Sequence, residues 1–240
     1  MELQTYSART RFQPMTRTTN SRIAGLVFLV YIATGVAIMI LSAQATGAEG
    51  IAARLAAIAA HPLHVRLTIV LDLLTIMYAL LLGVTLYGLT RDQDPELALL
   101  ALSCRVGEGV LVAIPTLATL CLLWLSTASV GGSLPDAAAA NAIGELLFKV
   151  RGWNTIISAT FFAVGSTLFS YLFLRGRLIP VPLAWIGVVA SVVLVVGLPL
   201  QLAGFVSGLI TSLMWIPMAV FEVPLGLWLL FKGVASPASR

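Results

Sequence analysis

Residues 97–125 read LALLALSCRVGEGVLVAIPTLATLCLLWL, and this stretch decides what kind of protein the chain is. It is longer than the roughly 20 apolar residues that a helix needs to cross about 30 Å of hydrocarbon. Two of its residues, Arg105 and Glu108, nevertheless carry charge. Hydrocarbon solvates charge poorly, so such side chains usually face a protein interior or a wet cavity and by default mark a functional site. The stretch therefore predicts a membrane-spanning helix with one polar face.

The composition of the whole chain agrees with a membrane protein. Apolar residues make up 59% of its 240 residues and charged residues 10%, and the mean hydropathy is +1.01. Soluble domains carry about 25% charged residues, so this chain has too little polar surface to cover itself in water. Period-2 alternation of apolar residues is absent, which argues against a transmembrane β-barrel.

Six segments are long and apolar enough to span a bilayer. They are Ile23–Leu41, Leu67–Thr90, Leu97–Leu125, Asn154–Leu174, Ile179–Ala203 and Val206–Phe231. We therefore predict an all-α fold with six transmembrane helices in one bundle, residues 22–233, between tails at residues 1–21 and 234–240. We expect the first span to stay uncleaved, because its apolar run exceeds the about 7–15 residues of a signal peptide.

The basic residues predict the orientation of the bundle. With six spans, the side that holds the termini carries nine of them: Arg9, Arg11, Arg17, Arg22, Arg91, Arg175, Arg177, Lys232 and Arg240. The other side carries four: Arg54, Arg66, Lys149 and Arg151. The excess places both termini in the cytoplasm. We read the net charge of +4 as a topology signal, and expect the lipid bilayer rather than nucleic acid as a partner.

Three of the charged residues inside the spans are predicted to meet. Arg105 and Glu108 are three residues apart and share a helix face, about 12–17 Å from the cytoplasmic side. Glu222 in the last span lies about 15 Å from the same side. The matching depths predict a ligand- or ion-binding site in the bundle interior. The alternative is an internal ion pair that only joins helices.

Two features favour the binding site over the purely structural ion pair. Glu108 and Glu222 face a single Arg105, and an unpaired carboxylate in a low dielectric would be protonated or would hold a cation. In addition, Pro217 and Pro224 flank Glu222. A proline inside a helix frees a backbone carbonyl one turn earlier, and interrupted helices at mid-membrane often line polar cavities.

The remaining polar candidates are assigned lesser roles. Asp72 lies nearer the external end, and we expect it to form an interfacial ion pair with Arg66 or Arg151. His61 and His64 are weak candidates for a metal site, since no third ligand is near them in the sequence. We therefore predict no metal and no cofactor.

A set of motifs along the chain resembles a known family. They are RIAGL at 22–26, DLL at 72–74, Arg105 with Glu108, LFLRGRLIP at 172–180, LAWIG at 183–187 and MAVFEVPLGLWLLFKG at 218–233. This pattern resembles the bacterial domain-of-unknown-function 4386 family of six-span membrane proteins, from Arg22 to Gly233. The resemblance implies a multi-pass protein of the bacterial inner membrane. It implies no established activity and no catalytic residues.

These observations leave three hypotheses for the function. The first is a small-molecule or ion carrier in which Arg105, Glu108 and Glu222 line the polar centre, and one carboxyl exchanges a proton or binds a cation. The second is a non-catalytic membrane scaffold or sensor subunit whose buried charges are structural. An enzyme comes third, because the chain has no phosphate-binding glycine loop, G-x-S-x-G, H-E-x-x-H or C-x-x-C motif. No motif specifies the ligand or the oligomeric state.

Overall fold

A computed structural model describes residues 16–130 and 136–235. Its helices are α1 (Arg17–Thr46), α2 (Ile51–Ala60), α3 (Pro62–Thr90), α4 (Pro95–Val130), α5 (Ala137–Arg175), α6 (Val181–Leu202), α7 (Leu209–Leu213) and α8 (Ile216–Phe231). Within the described residues, six segments are long and apolar enough to cross a membrane, the last of them formed by α7 and α8 together. The prediction of an all-α, six-span membrane protein is confirmed.

The first helix begins inside the predicted N-terminal tail. The Thr16 side chain caps α1 by accepting a hydrogen bond from the Thr19 backbone N–H at 3.2 Å, the usual role of threonine at this position. Helical structure therefore starts at Arg17, several residues before the apolar run. Residues 1–15 and 236–240 of the two predicted tails lie outside the described part of the chain.

The spanning segments form a closed ring in chain order. α1 packs on α3, α3 on α4, α4 on α5, α5 on α6 and α6 on α8, and α8 returns to α1. At the closing contact the Ser21 hydroxyl donates a hydrogen bond to the Leu229 carbonyl at 3.1 Å. A Cβ added at Gly25 would lie only 2.6 Å from the Gly226 carbonyl oxygen. Two glycines thus let the backbones of α1 and α8 touch.

The two ends of the ring are packed differently. At the end where α1 begins and α8 ends, here called the termini end, large side chains such as Phe28, Leu86 and Phe173 form one continuous core. At the opposite end, here called the α2 end, the short helix α2 packs over the ring through Leu55 and Ile58. The larger core continues from the termini end along α6 to Leu194 and Leu198, and the polar residues described below lie beside it.

The turn between α3 and α4 is fixed by Asp94. Its carboxylate accepts a hydrogen bond from the Leu97 backbone N–H at 3.1 Å and pairs with the Arg175 guanidinium at 2.8 Å. The backbone hydrogen bond, followed by the contact with Arg175, holds the pKa of Asp94 below its usual value. This carboxylate therefore joins the start of α4 to the end of α5.

The chain turns after α6, and the last span is then interrupted at Met214 and Trp215, between α7 and α8. Gly204 and Gly208 have φ values of 83° and 65°, which glycine adopts without a steric cost, so this region turns rather than continuing α6. α8 then begins at Ile216, which places Pro217 in its first turn. Backbone N–H groups there have no partner within the helix. The expectation that Pro217 frees a carbonyl inside the helix is therefore wrong, and Pro224 alone lies in the helix interior.

Candidate functional site

The centre of the ring contains a buried ion pair on α4. Arg105 Nη1 donates a hydrogen bond to Glu108 Oε2 at 2.9 Å, and the two side chains are 1% and 4% exposed. Their spacing of three residues puts both on one helix face. The pair is thus shielded from lipid and faces the interior of the protein.

Side chains from two other helices complete the hydrogen bonding of Glu108. Tyr31 on α1 donates its phenolic hydrogen to Glu108 Oε1 at 2.6 Å, so both carboxylate oxygens have a donor. On α5, Ser158 donates to the Glu108 backbone carbonyl at 3.1 Å. Glu108 therefore connects α1, α4 and α5.

The Arg105 guanidinium is enclosed by α5. Its Nη2 donates to the Ser166 hydroxyl at 3.3 Å, and its Cζ lies 4.7 Å from the centre of the Phe162 ring, a cation–π contact. A Cβ at Gly165 would lie 3.2 Å from the Cβ of Cys104. The absence of a side chain at Gly165 therefore allows α5 to approach α4 closely beside the arginine.

Glu222 on α8 differs from Glu108 in its hydrogen bonding. The residue is 8% exposed, and its Oε1 atom is buried without a hydrogen-bond partner in the described part of the chain. Arg105 and Glu108 are its charged neighbours. The Arg105 guanidinium is paired directly with Glu108, and among the described residues it forms no ion pair within 4.0 Å with Glu222.

A cavity of about 350 Å³ begins at these carboxyls and extends toward the α2 end. Its walls are formed by Tyr31, Ile38, Asp72, Thr75, Glu108, Val112, Pro115, Arg151, Thr155, Ser158, Ala159, Phe162, Trp215 and Glu222. Along α5 it runs from Phe162 to Arg151, which corresponds to roughly 16 Å of helix. The opposite direction is closed, because the void beneath Arg105, beside Phe173 and Phe221, measures only about 10 Å³.

The outer part of the cavity holds a second pair of charges. Asp72 and Arg151 both line the wall and interact electrostatically, and Arg151 Nη2 donates to the Ser42 hydroxyl at 3.2 Å. Of the two partners predicted for Asp72, the structure brings Arg151 near it. Arg66 is exposed and is not part of this cavity wall.

The two histidines lie apart from the cavity. The rings of His61 and His64 stack at a centroid distance of 5.4 Å with an angle of 8° between their planes. Among residues 16–130 and 136–235, no group of three or more His, Cys, Asp or Glu side chains could hold a metal ion. These histidines therefore pack on each other at the α2 end.

Several site residues were not predicted, and most of them lie on α5. Four neutral polar side chains on that helix lie three, four, seven and fifteen residues after the predicted Arg151 and face α4 or the cavity: Asn154, Thr155, Ser158 and Ser166. A polar stripe with helical period in an otherwise apolar span is a signal that could have identified this face. Tyr31 gives no such signal, since a single tyrosine in a span is unremarkable.

A closed ring of six apolar helices around a cavity that holds charged side chains defines an integral, multi-pass membrane protein. Residues 23–233 match the family described as a domain of unknown function, DUF4386, and the chain belongs to that family. Comparison with curated proteins and with solved structures found no match. The functional argument therefore depends on the residues of the cavity.

Proposed function

We propose that this membrane protein is a small-molecule or ion carrier, and that its central cavity binds a positively charged species at Glu222. The observation that carries the proposal is the Glu222 carboxyl. It is 8% exposed, lines a cavity of about 350 Å³ and has an oxygen without a hydrogen-bond partner among the described residues. A bound proton or cation would supply that partner.

The charge balance supports this assignment. The charges of Arg105 and Glu108 neutralise each other in a direct ion pair at 2.9 Å. Glu222 therefore has no directly paired cation among the described residues. A buried carboxylate without a counter-charge is costly in a low dielectric. Binding of a cation, or exchange of a proton, removes this cost, and a carrier uses such a step to couple occupancy to conformation.

The shape of the cavity supports a carrier whose site opens to one side at a time. The cavity reaches toward the α2 end as far as Asp72 and Arg151, and α2 packs over the ring beyond them through Leu55 and Ile58. The interrupted segment α7–α8 lies beside the site, and discontinuous helices are typical of transporter binding sites.

A membrane scaffold or sensor subunit is the second candidate. The network of Tyr31, Arg105, Glu108 and Ser166 satisfies nearly all of its own hydrogen bonds and joins three helices. Such a network can serve to fix the rotation of the helices. This reading accounts for Glu108 but gives no role to the cavity or to the unpartnered oxygen of Glu222.

Chemical access to the cavity separates the two candidates. In a Cys121→Ser background, which removes the exposed native thiol, we expect Thr155→Cys to react with a charged, water-soluble methanethiosulfonate. Ile157→Cys is the matched control, since it is exposed two residues away on the same helix but outside the cavity wall. Reaction should be fast at Thr155 and slow at Ile157, because thiolates form in water and not in lipid.

Glu222 itself is tested with dicyclohexylcarbodiimide, an apolar reagent for carboxylic acids. We expect labelling of the wild-type protein at Glu222 that falls as the pH rises, loss of labelling in Glu222→Gln, and unchanged labelling at Glu222 in Glu145→Gln, which removes an exposed carboxyl. If Thr155→Cys is unreactive and Glu222 is not labelled at any pH, the site is sealed and the carrier proposal is wrong.

A further inference from the structure

We infer that the ligand of this cavity is a small organic ammonium ion, bound between the Glu222 carboxylate and the aromatic rings of the cavity wall. The inference rests on the proposed function, because it assigns a chemical class of ligand to the same cavity. It is carried by the volume of the cavity, its aromatic lining and the balance of charge around it.

The volume indicates an organic ligand. A water molecule occupies about 30 Å³ in the liquid, so a cavity of about 350 Å³ is far larger than a proton or a bare metal ion requires. It falls at the lower end of the roughly 300–1,000 Å³ of small-molecule sites. A metal ion would also need several converging ligands, and the described residues contain no suitable group of three.

The lining indicates an ammonium group. Tyr31, Phe162 and Trp215 lie on the wall together with Glu222, and the Phe162 and Trp215 rings are 6.2 Å apart between centroids. Trp215 is 38% exposed, so part of its ring is accessible. Aromatic faces attract cations, tryptophan most strongly. Phe162 already holds the Arg105 guanidinium in this way at 4.7 Å.

The balance of charge favours a cation over an anion. The titratable side chains on the cavity wall are Tyr31, Asp72, Glu108, Arg151 and Glu222, with Arg105 directly behind the wall. Three carboxyls therefore face two guanidiniums. Arg105 is paired with Glu108 at 2.9 Å, and Arg151 donates a hydrogen bond to the Ser42 hydroxyl. One positive charge neutralises the set, whereas an anion would add to the excess.

The test is a binding assay on the purified full chain in lipid nanodiscs. The probes are choline, its neutral carbon isostere 3,3-dimethylbutan-1-ol, benzyltrimethylammonium and benzoate. We expect both ammonium ions to bind, the isostere to bind roughly tenfold or more weakly because it lacks the positive charge that the Glu222 carboxylate and the aromatic faces attract, and benzoate not to bind. Isothermal titration gives the affinities, and a thermal shift checks them independently.

Variants of cavity residues show whether a loss of binding comes from the binding site or from a disturbed fold. Glu222→Gln should weaken choline binding roughly tenfold or more, whereas Glu222→Asp, which keeps the charge, should retain the preference for choline over its isostere. Trp215→Leu should weaken binding roughly threefold or more. Trp185→Leu is the control, because Trp185 is exposed on α6 and is not part of the cavity wall.

The outcomes distinguish a failure of the ammonium inference from a failure of the proposed function. If the neutral isostere binds as tightly as choline, or Glu222→Gln leaves choline binding unchanged, the ammonium inference is wrong. If no ammonium ion binds while Thr155→Cys and Glu222 react as expected, the ligand class is wrong and the cavity function stands. If Thr155→Cys and Glu222 are also unreactive, both the ammonium inference and the proposed function are wrong.

Discussion

Glu108 and Glu222 are the same residue type at a similar depth in the bundle, yet their surroundings differ. Glu108 accepts hydrogen bonds from Tyr31 and Arg105 on its two oxygens. Glu222 has an oxygen without a partner in the described structure. At the residue scale we therefore assign Glu108 to the framework of the site and Glu222 to exchange with a ligand.

Arg105 should be required for stability. Arg105→Met leaves Glu108 buried without its counter-ion, and removal of one partner from a buried pair costs about 3–5 kcal/mol. The double variant Arg105→Met/Glu108→Gln should recover much of this loss, since the Glu108 charge is removed together with its counter-ion. Unfolding in detergent, followed by circular dichroism, measures the differences.

The exposed pair Glu145–Lys149 provides the control for this experiment. Its atoms lie 3.0 Å apart, but the side chains are 56% and 60% exposed. Lys149→Ala should therefore change the free energy of unfolding by about 1 kcal/mol or less. A cost for Arg105→Met no greater than that of Lys149→Ala would show that the central pair does not hold the helices together.

Charge is the part of the site that can be predicted from the sequence. Arg105, Glu108 and Glu222 stand out because ionised groups are rare in hydrocarbon, and helix rise gives their depths. Tyr31 and Ser166 could not be predicted in the same way. Neutral polar side chains occur throughout membrane spans, and their role depends on how each helix is rotated, which only packing determines.

At the scale of the helices, hydropathy predicts the spans but not their ends. α5 begins at Ala137, well before the predicted start at Asn154, because helical hydrogen bonding continues beyond the apolar segment. The interruption between α7 and α8 was also missed. It lies at Met214 and Trp215, whose φ and ψ values stay in the right-handed helical region, so neither the hydropathy nor a glycine marks it.

The contact between α1 and α8 should be sensitive to side-chain size. Gly25→Ala places a methyl group within 2.6 Å of the Gly226 carbonyl oxygen, and we expect overpacking to destabilise the protein by about 1–3 kcal/mol. Gly35→Ala on the same helix is the matched control, since its Cβ meets nothing within 4 Å. Thermal unfolding of the two variants should give clearly separate midpoints. Equal midpoints would contradict a close α1–α8 contact.

At the scale of the whole molecule, the positive-inside rule predicts the orientation. In a bacterial host, a fluorescent protein that folds only in the cytoplasm should be bright when fused after residue 235. Alkaline phosphatase, which is active only outside the cytoplasm, should be active when inserted after Ala48 between α1 and α2. The basic residues favour this arrangement by nine to four. The reverse pattern of activities would contradict it.

The closed ring has a consequence for the order of the helices along the chain. Because α1 and α8 are neighbours and begin and end on one face of the bundle, a short peptide could link the last described residues to the first. New ends could then be opened on that same face at the Arg91–Gln93 turn. The six helices would be made in a rotated sequence, starting from α4, yet each would find the neighbours it has now. We therefore expect the fold to tolerate circular permutation, because the neighbours of each helix do not depend on which helix comes first in the chain.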